Sequence, residues 1–271
     1  MMKLNLAKLH NAGNSFIVGL LDEQRLTRTD IAGICDPRFG LGGDGFVLVS
    51  RSDDGNNYRL RFFNSDGSRF RMCFNGTLCA ALFLQQLGHK EMLTLSVPGM
   101  GAIAASVARS TVSLRFEAPR VRPLAAALPA GIKGRCYALP FADNHKVLHT
   151  ERRVLQSPDF ITMANSLRAP DELFAEGANV HFIAQEGSTV YIRHFEKGLE
   201  RETLSCGSGC VSAALVLDGE RNLSFVSACG RLRIRKQSSG LWSLSAQPAV
   251  IGWVSVAENK LRSVRRPEYI L

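Results

Sequence analysis

The sequence predicts an α+β protein built from two similar halves. Short apolar runs and alternating apolar and polar residues, typical of β-strands, dominate the chain, and only a few stretches have the character of helices. The same order of elements also occurs twice: a strand, a polar turn, a cysteine, an apolar helix and further strands. We therefore expect two related domains of mixed α and β structure.

The first half supplies one copy of this order. A helix is predicted near Thr29–Ile34. A short apolar run predicts a strand over Phe46–Val49, and alternation predicts one over Tyr58–Phe63. A polar turn then leads to Cys73 and to a helix that follows Gly76. Strands are predicted after it at 92–98, 101–107 and 111–116.

The second half repeats the order after the Pro-rich passage Ala118–Pro123, which is the natural joint. A short helix near Ile161–Leu167 precedes a strand over Val190–Phe195. Cys206 follows, with a helix after Gly209. Strands are predicted after it near 222–228, 230–236 and 241–245.

Composition and charge are those of an ordinary globular chain. Its 271 residues are 45% hydrophobic and 21% charged, enough to bury a sizeable core. The net charge of +9 comes from scattered basic residues with no RNA-binding or finger pattern, so we expect no nucleic-acid partner. No apolar run reaches the roughly 18 residues of a membrane span, and no signal segment is seen. The seven cysteines, an odd number, favour a reduced, cytoplasmic protein.

Two cysteine motifs are the most informative feature of the chain. Cys73 lies in Arg71–Gly76 and Cys206 in Glu202–Gly209, and each motif precedes an apolar run with the character of a helix. A helix N-terminus presents unpaired N–H groups and the positive end of the dipole, which favours a thiolate. We expect the glycines to leave the backbone open to a substrate carboxylate. Two similar halves would bring both thiols to one shared site.

Several chemistries are compatible with a pair of cysteines. The spacing around Cys73 and Cys206 is poor for a metal, since neither a C-x-x-C pair nor a nearby histidine accompanies them. A disulfide between the halves, or nucleophilic catalysis by Cys73 with His145 as base, remains open. Two thiols on opposite faces of one carbon would instead invert a stereocentre by removing and returning a proton. No cofactor motif is visible. Backbone N–H groups would therefore hold the substrate α-carboxylate and stabilise the negative charge that grows on it.

Several segments carry a family resemblance. They are Lys8–Phe16, Gly40–Gly45, Phe63–Ser68, Met72–Gly76, Asn179–Phe182, Glu196–Gly198 and Glu202–Gly209. With these segments, spread over nearly the full length, the chain resembles the diaminopimelate epimerase family of pyridoxal-independent two-cysteine enzymes. The resemblance implies two pseudo-symmetric domains, each a mixed, mostly antiparallel sheet curled round a central helix. They would span 1–118 and 119–258, with a C-terminal strand over 259–271 returning to the first domain.

The resemblance also implies roles for particular residues. Cys73 and Cys206 would be base and acid, with His145 beside the first and Glu196 beside the second as orienting partners. The residues expected to bind the amino-acid substrate are Asn14, Asn64, Asn75, Gly76, Asn179, Lys197, Gly207 and Ser208. No metal or other cofactor is implied. Dimerisation stays open, although members of the family often form homodimers.

Departures from the family pattern concern the distal end of the substrate. The chain has Ala142-Asp143-Asn144-His145 where the family has Gly-Asn-Pro-His, and Lys197 replaces an Arg that grips the far carboxylate. Phe74 replaces a Gly and would crowd the first helix N-terminus, Ser15 replaces an Asp, and Arg193 or Arg201 are candidates to replace the missing Arg. The first hypothesis is epimerisation of L,L-diaminopimelate to the meso form, in the synthesis of lysine and peptidoglycan precursors. The alternatives are a racemase of another amino acid, such as His, Glu or Lys, and a non-catalytic or nucleic-acid-binding relative.

Overall fold

The computed structural model describes residues 3–21, 26–52, 57–89, 92–117, 119–217, 219 and 221–257. The chain divides into two compact units. Unit 1 comprises the described residues of 3–114 and 247–257, and unit 2 comprises those of 115–246. None of the helices within the described ranges is both long and apolar enough to cross a membrane.

Unit 1 is a mixed sheet with two helices. Its strands are β1 (Lys3–Asn11), β2 (Asn14–Leu20), β3 (Gly45–Arg51), β4 (Tyr58–Asn64), β5 (Arg69–Phe70), β6 (Met92–Val97), β7 (Gly101–Ala108), β8 (Thr111–Glu117, which runs past the boundary) and β18 (Ala249–Ala257). The helices are α1 (Arg28–Cys35) and α2 (Phe74–Gln86). The strand order is β18-β1-β2-β3-β4-β6-β7. The pairs β2–β3 and β4–β6 are parallel because α1 and α2 carry the chain back between them, and the other pairs are antiparallel.

Unit 2 has the same plan. Its strands are β9 (Leu124–Ala126), β10 (Arg135–Leu139), β11 (His145–His149), β12 (Asn179–Glu186), β13 (Thr189–Glu196), β14 (Arg201–Thr203), β15 (Asn222–Ser227), β16 (Gly230–Lys236) and β17 (Leu241–Ala246). The helices are α3 (Arg152–Leu155), α4 (Phe160–Arg168) and α5 (Gly207–Val216). The strand order is β9-β10-β11-β12-β13-β15-β16-β17. The parallel pairs are β11–β12 and β13–β15, so the directions match those of unit 1 strand for strand.

A central helix in each unit is buried on almost every side. All residues of α2 from Phe74 to Leu84 are buried, and this helix touches β1, β2, β3, β7 and β18. In unit 2, α5 touches β11, β12 and β16. A helix that is apolar all round is stable only when a sheet surrounds it, which the mixed sheet of each unit does. The predicted α+β fold of two similar halves, each sheet curled round a helix, is therefore confirmed.

The outer helices cover smaller apolar clusters. Ile31, Ile34 and Cys35 of α1 pack with Leu6, Phe46 and neighbouring residues of unit 1. Phe160, Ala164 and Leu167 of α4 do the same in unit 2 against residues of β11, β12 and β13. The apolar residues of α4 recur at the spacing of a helix, which is why this short segment was visible in the sequence.

The boundaries of the units differ from those expected from the sequence. The first boundary falls at 114/115 and the second at 246/247, whereas the sequence placed them at 118/119 and 258/259. The strand that joins β1 near the C-terminal end is β18, so the chain is already back in unit 1 at Ala249. The predicted returning segment 259–271 lies outside the described residues.

Candidate functional site

Cys73 is the N-cap of α2. Its backbone is extended, with φ −147° and ψ 119°, and its Sγ accepts a hydrogen bond from the backbone N–H of Gly76 at 3.3 Å. The carbonyl of Cys73 accepts from the backbone N–H and the hydroxyl of Thr77 at 2.9 and 2.7 Å. The sulfur thus stands where a Ser, Thr or Asp oxygen usually caps a helix. The helix begins at Phe74, three residues earlier than predicted, because the cysteine itself is the cap.

Cys206 is the N-cap of α5 in the same geometry. Its φ and ψ are −135° and 109°, and its Sγ accepts from the backbone N–H of Gly209 at 3.4 Å. The Oγ of Ser208 lies 3.4 Å from the same sulfur, and Gly207, the first residue of the helix, is buried. Each unit therefore presents one thiol at the N-terminus of its central helix. The expected pairing of cysteine with helix N-terminus is found in both halves.

The thiol form is favoured at Cys206, contrary to the expectation of a thiolate. Burial raises the pKa of Cys206 well above its ordinary value, and the negative charge of Glu196 raises it further. The hydrogen bonds from Ser208 and Gly209 oppose this increase without cancelling it. Burial disfavours the charged form of any acid, and here it outweighs the helix N-terminus. Cys206 is suited to hold a proton rather than to lack one.

The motif glycines are required by packing inside their own units. A Cβ on Gly76 would lie 3.1 Å from Phe62 and from Val47, and a Cβ on Gly209 would lie 2.4 to 2.7 Å from ring atoms of His181. These glycines let each helix approach the sheet closely. Packing is therefore one reason for glycine at these two positions, and the expected open path from the backbone to a carboxylate stays a prediction.

A chain of side-chain amides lies beside the start of α2 in unit 1. Asn11 donates to Asn75 at 2.9 Å, and Asn75 donates to Asn14 at 3.1 Å. Asn14 in turn donates to Asp44 at 3.3 Å. Ser15 gives both its backbone N–H and its hydroxyl to the same carboxylate, at 2.8 and 3.1 Å. The two predicted residues Asn14 and Asn75 are thus brought together, and the network adds Asn11 and Asp44, whose roles the sequence did not reveal.

Asn64, the third amide predicted in this half, occupies a tight turn. It ends β4, its side chain is exposed, and its Nδ2 donates to the hydroxyl of Ser68 at 3.0 Å. In the same turn, the backbone N–H of Gly67 donates to the carbonyl of Asn64 at 2.9 Å. Asn64 is therefore the most accessible of the predicted amides in unit 1.

Asn179 ties two loops of unit 2 together. Its Nδ2 donates to the carbonyls of Asp143 and Asn144 at 3.0 and 3.3 Å, and its Oδ1 accepts from the backbone N–H of Lys197 at 3.0 Å. The ammonium of Lys197 also lies 3.1 Å from a carboxylate oxygen of Asp143. The two distal departures from the family pattern therefore pair with each other.

Glu196 and Arg193 have partners that the sequence did not indicate. The hydroxyl of Thr203 donates to Glu196 at 2.7 Å. Arg193 grips Glu202 through two hydrogen bonds of 2.7 Å, and its guanidinium lies 3.7 Å from the centre of the Phe160 ring. Arg193 therefore serves the structure of unit 2, and its expected service in place of the missing distal Arg is not supported.

His145 belongs to a buried chain of three histidines. Its Nδ1 lies 2.7 Å from Nε2 of His181, and Nδ1 of His181 lies 2.9 Å from Nδ1 of His194. All three side chains have no exposed surface. Burial, with the charges of His194 and Lys197, lowers the pKa of His145 to about 3, and burial lowers that of His194 to about 3. The pKa of His181 is also well below its ordinary value, because the residue is buried between the other two. The chain is therefore uncharged near neutral pH.

The remaining cysteines are mostly structural. All seven cysteines are free thiols. Cys35, Cys79, Cys136 and Cys210 are buried, as expected of small apolar residues, whereas Cys229 is exposed. Phe74, expected to crowd the helix N-terminus, has its side chain fully buried. Among the described residues, no group of three or more His, Cys, Asp or Glu side chains is arranged to hold a metal ion.

Comparison with known proteins gives one family. The diaminopimelate epimerase family model matches residues 6–112. A diaminopimelate epimerase of Methanothrix thermoacetophila is 32% identical over 238 residues, which cover 80% of this chain and 81% of the relative. That of Archaeoglobus fulgidus is 30% identical over 240 residues, which cover 79% of this chain and 81% of the relative.

Solved structures share the fold at lower identity. A PhzF-family phenazine biosynthesis protein of Enterococcus faecalis superimposes with a TM-score of 0.71 at 20% identity, covering 94% of this chain and all of its own. A hydroxyproline epimerase of Agrobacterium vitis gives a TM-score of 0.63 at 13% identity, covering 94% of this chain and 92% of its own. At these identities the similarity concerns the architecture alone.

Proposed function

Because this chain belongs to the diaminopimelate epimerase family, we propose that it interconverts L,L-diaminopimelate and meso-diaminopimelate without a cofactor. One observation carries the proposal: two thiols cap the two central helices in the same backbone geometry. A metal site or a single nucleophile would leave the second matched motif without a purpose. The reaction would supply meso-diaminopimelate for lysine and peptidoglycan synthesis in the cytoplasm.

The proposed step moves one proton off the α-carbon and another onto it. The thiolate of Cys73 takes the α-proton, and the C–H electron pair stays on carbon as a carbanion. The thiol of Cys206 then delivers its proton to the opposite face, which inverts the centre. Cys73 ends as a thiol and Cys206 as a thiolate. The raised pKa of Cys206 supports its role as the proton donor.

The orienting partners of the two thiols and the groups that bind the carboxylate are assigned as the family resemblance implies. We assign His145 as the orienting partner of Cys73 and Glu196 as that of Cys206. The N–H groups of Asn75 and Gly76, and of Gly207 and Ser208, lie in the first turns of α2 and α5. Such N–H groups and the helix dipoles attract an α-carboxylate and stabilise the charge that the carbanion spreads onto it.

The Lys197–Asp143 pair supports a substrate with an amino-acid group at its distal end. Opposite charges 3.1 Å apart form a neutral but strongly dipolar surface. A distal group that carries both an ammonium and a carboxylate matches both charges, whereas a single ammonium or carboxylate is repelled by one of them. Diaminopimelate has such an end, and lysine and glutamate do not. Asn64 and Asn179, with Asn14, are assigned to hydrogen-bond the same substrate.

Isotope incorporation tests the reaction and its substrate together. In D2O, the protein should put deuterium at the α-carbon of L,L-diaminopimelate, and the label should appear in the inverted product before it appears in recovered substrate. This order is expected because the removed proton and the delivered deuteron pass through different thiols. Histidine, glutamate and lysine should remain unlabelled in parallel reactions.

Two single substitutions test the two-base scheme. Cys73→Ala and Cys206→Ala should each lower kcat by a factor of at least about 10² to 10⁴, because one proton-transfer group is missing. Cys229→Ala, at the exposed cysteine, is the matched control and should retain wild-type turnover. Normal turnover by either of the first two variants would refute the scheme. Labelling of histidine, glutamate or lysine instead of diaminopimelate would favour the racemase alternative.

A further inference from the structure

The C-terminal end of α4 is tied to three other segments of unit 2. The last four carbonyls of a helix have no partner within the helix, so other groups must satisfy them. The carbonyl of Leu167 accepts from the buried ammonium of Lys146, on β11, at 2.7 Å. The carbonyl of Arg168 accepts from the backbone N–H of Ala178, just before β12, at 3.2 Å. These two hydrogen bonds fix the end of α4 relative to β11 and β12.

The side chain of Arg168 makes the third tie, to Glu200. Its Nη2 donates to Oε1 of Glu200 at 2.6 Å, and its Nε faces the other oxygen of the same carboxylate. A planar guanidinium matches a carboxylate in such a two-point contact, which a lysine cannot reproduce. The hydrogen bond from Arg168 lowers the pKa of Glu200, so this carboxylate is charged near neutral pH. The arginine side chain is only 25% exposed, which limits the screening of the pair by solvent.

Glu200 in turn holds the loop of residues 197–200, which joins β13 to β14. The oxygen that accepts from Arg168 also accepts from the backbone N–H of Gly198 at 2.9 Å. The backbone N–H of Glu200 donates to the carbonyl of Glu196 at 3.0 Å. Glu200 has a left-handed backbone with φ of 53°, which is unfavourable for a residue with a Cβ. Such a conformation persists only where the surroundings hold it, so Arg168 grips the residue on which the shape of the loop depends.

The three segments tied to the end of α4 also carry the residues assigned to the distal end of the substrate. Asp143 lies two residues before β11, Asn179 begins β12 and Lys197 opens the loop after β13. The ammonium of Lys197 lies 3.1 Å from Asp143, and its side chain is only 17% exposed. A lysine side chain is long and flexible, so the place of its ammonium depends on the backbone that bears it. The end of α4 therefore sets where the two charges meet.

We propose that Arg168 is a positioning residue that, through Glu200, holds the ammonium of Lys197 against Asp143. The inference rests on the proposed function, in which this pair recognises the distal end of the substrate. Release of the loop should weaken that recognition and leave proton transfer at the α-carbon nearly unchanged. Glu196 keeps its own hydrogen bond from Thr203, at 2.7 Å, when the contact of Arg168 is removed.

Amide hydrogen exchange tests the hold on the loop without any substrate. The backbone N–H of Gly198 should exchange about 5-fold faster in Arg168→Met than in the wild type, because the ion pair that steadies its acceptor is lost. Arg153→Met is the matched control, since Arg153 pairs with its near neighbour Glu151 in the same unit. Exchange at Gly198 that is unchanged in Arg168→Met would overturn the proposal. A protein that acts on no amino acid but shows the faster exchange would contradict the proposed function and still support the hold of Arg168 on the loop.

Steady-state kinetics tests the effect on the substrate. Arg168→Met should raise KM for L,L-diaminopimelate about 3-fold to 10-fold and change kcat by less than about 2-fold, because binding energy away from the reacting carbon is lost. Arg168→Lys keeps the charge without the two-point contact and should recover part of the loss. Arg153→Met should leave both constants at their wild-type values. An unchanged KM in Arg168→Met, or an equal rise in Arg153→Met, would overturn the proposal.

A double-mutant cycle separates positioning from a general structural effect. In a protein that already carries Lys197→Met, Arg168→Met should raise KM no further, because a positioning residue acts only through the group that it positions. Glu200→Gln tests the same contact from its other side: it keeps an acceptor for Gly198 but loses the charge that Arg168 grips. It should raise KM as Arg168→Met does, and the two changes together should have the effect of one. Additive changes in either cycle would overturn the proposal.

Discussion

Ala142 holds a left-handed backbone conformation, with φ of 52°, in the loop that precedes His145. Asn144 does the same two residues later, with φ of 54°. Side chains with a Cβ disfavour this region, although asparagine tolerates it better than alanine. The family pattern has Gly and Pro at these two positions. Because proline requires φ near −65°, the loop of this chain differs in conformation from one built on the family pattern.

Ala142→Gly should therefore stabilise the protein. Relief of the left-handed strain, about 1 to 2 kcal/mol, exceeds the added freedom of glycine in the unfolded chain, about 0.5 to 1 kcal/mol. We expect a net gain of roughly 0.5 to 1 kcal/mol, or a rise in Tm of a few degrees, in thermal unfolding. Ala169→Gly is the control, since φ there is −50° and the change should destabilise. A lower Tm for Ala142→Gly would contradict the strain argument.

The two central helices differ in how tightly their first turns meet the sheet. A Cβ added to Gly76 of α2 would lie 3.1 Å from its nearest neighbours, a contact that a small shift can relieve. A Cβ added to Gly209 of α5 would lie 2.4 Å from the ring of His181, and two hydrogen bonds hold that ring in place. The first turn of α5 is thus built on the histidine chain, and Cys206 is held by the same packing.

Gly209→Ala should be clearly more damaging than Gly76→Ala. Overpacking of a tight core site costs typically about 1 to 3 kcal/mol, and the shorter distance at Gly209 predicts the upper part of that range or beyond. Gly252→Ala, in β18, is the matched control because nothing lies within 4 Å of its Cβ position. Urea unfolding of the three variants measures the order. Equal stabilities for the Gly209 and Gly252 variants would show that the ring of His181 moves freely.

Buried titratable groups set the pH range over which the whole protein is stable. The three chained histidines have pKa values below the ordinary value of 6.5, so unfolding lets them take up protons at acid pH. The buried thiols have raised pKa values, and they lower the free energy of unfolding at alkaline rather than at acid pH. Cys206, Cys210, Cys79, Cys136 and Cys35 release protons on unfolding once the pH exceeds their ordinary pKa near 9.

The free energy of unfolding should consequently be greatest between about pH 6.5 and pH 8.5. The contribution of the depressed histidine pKa values is complete above 6.5 and is lost as the pH falls towards their folded values, about 3 for His145 and His194. Each such group contributes a slope of up to about 1.4 kcal/mol per pH unit. His89 and His149, with pKa values also lowered, act in the same range.

Denaturant unfolding between pH 4.5 and pH 7 measures this slope, because carboxylates titrate mainly below that range. The loss contributed by the raised cysteine pKa values should appear separately, above about pH 8.5. A free energy of unfolding that stays constant from pH 7 to pH 5 would show that the histidines are not buried and neutral.

Much of the architecture follows from local pattern. Alternating residues and short apolar runs predict the strands β3, β4, β6, β7, β8, β13, β15, β16 and β17. Helical character predicts α1 and α4, and the apolar runs after the cysteine motifs predict α2 and α5. The cysteine motifs located both helix N-termini, since an extended residue that caps a helix is a short-range property of its own neighbours. Similarity to the family came from the same segments. These features depend on residues close together in the chain, which is why a single sequence contains them.

The site depended on contacts between distant segments. His145, His181 and His194 are separated by 36 and 13 residues and meet only because β11, β12 and β13 are neighbours in the sheet. Asp143 contacts Lys197 across a longer gap of 54 residues (197 − 143), and the pairing converts two departures from a family pattern into one neutral pair. Burial raised the pKa of Cys206 although its helix N-terminus alone favours the thiolate. Desolvation and strand pairing are properties of the folded unit, so no inspection of neighbouring residues reveals them.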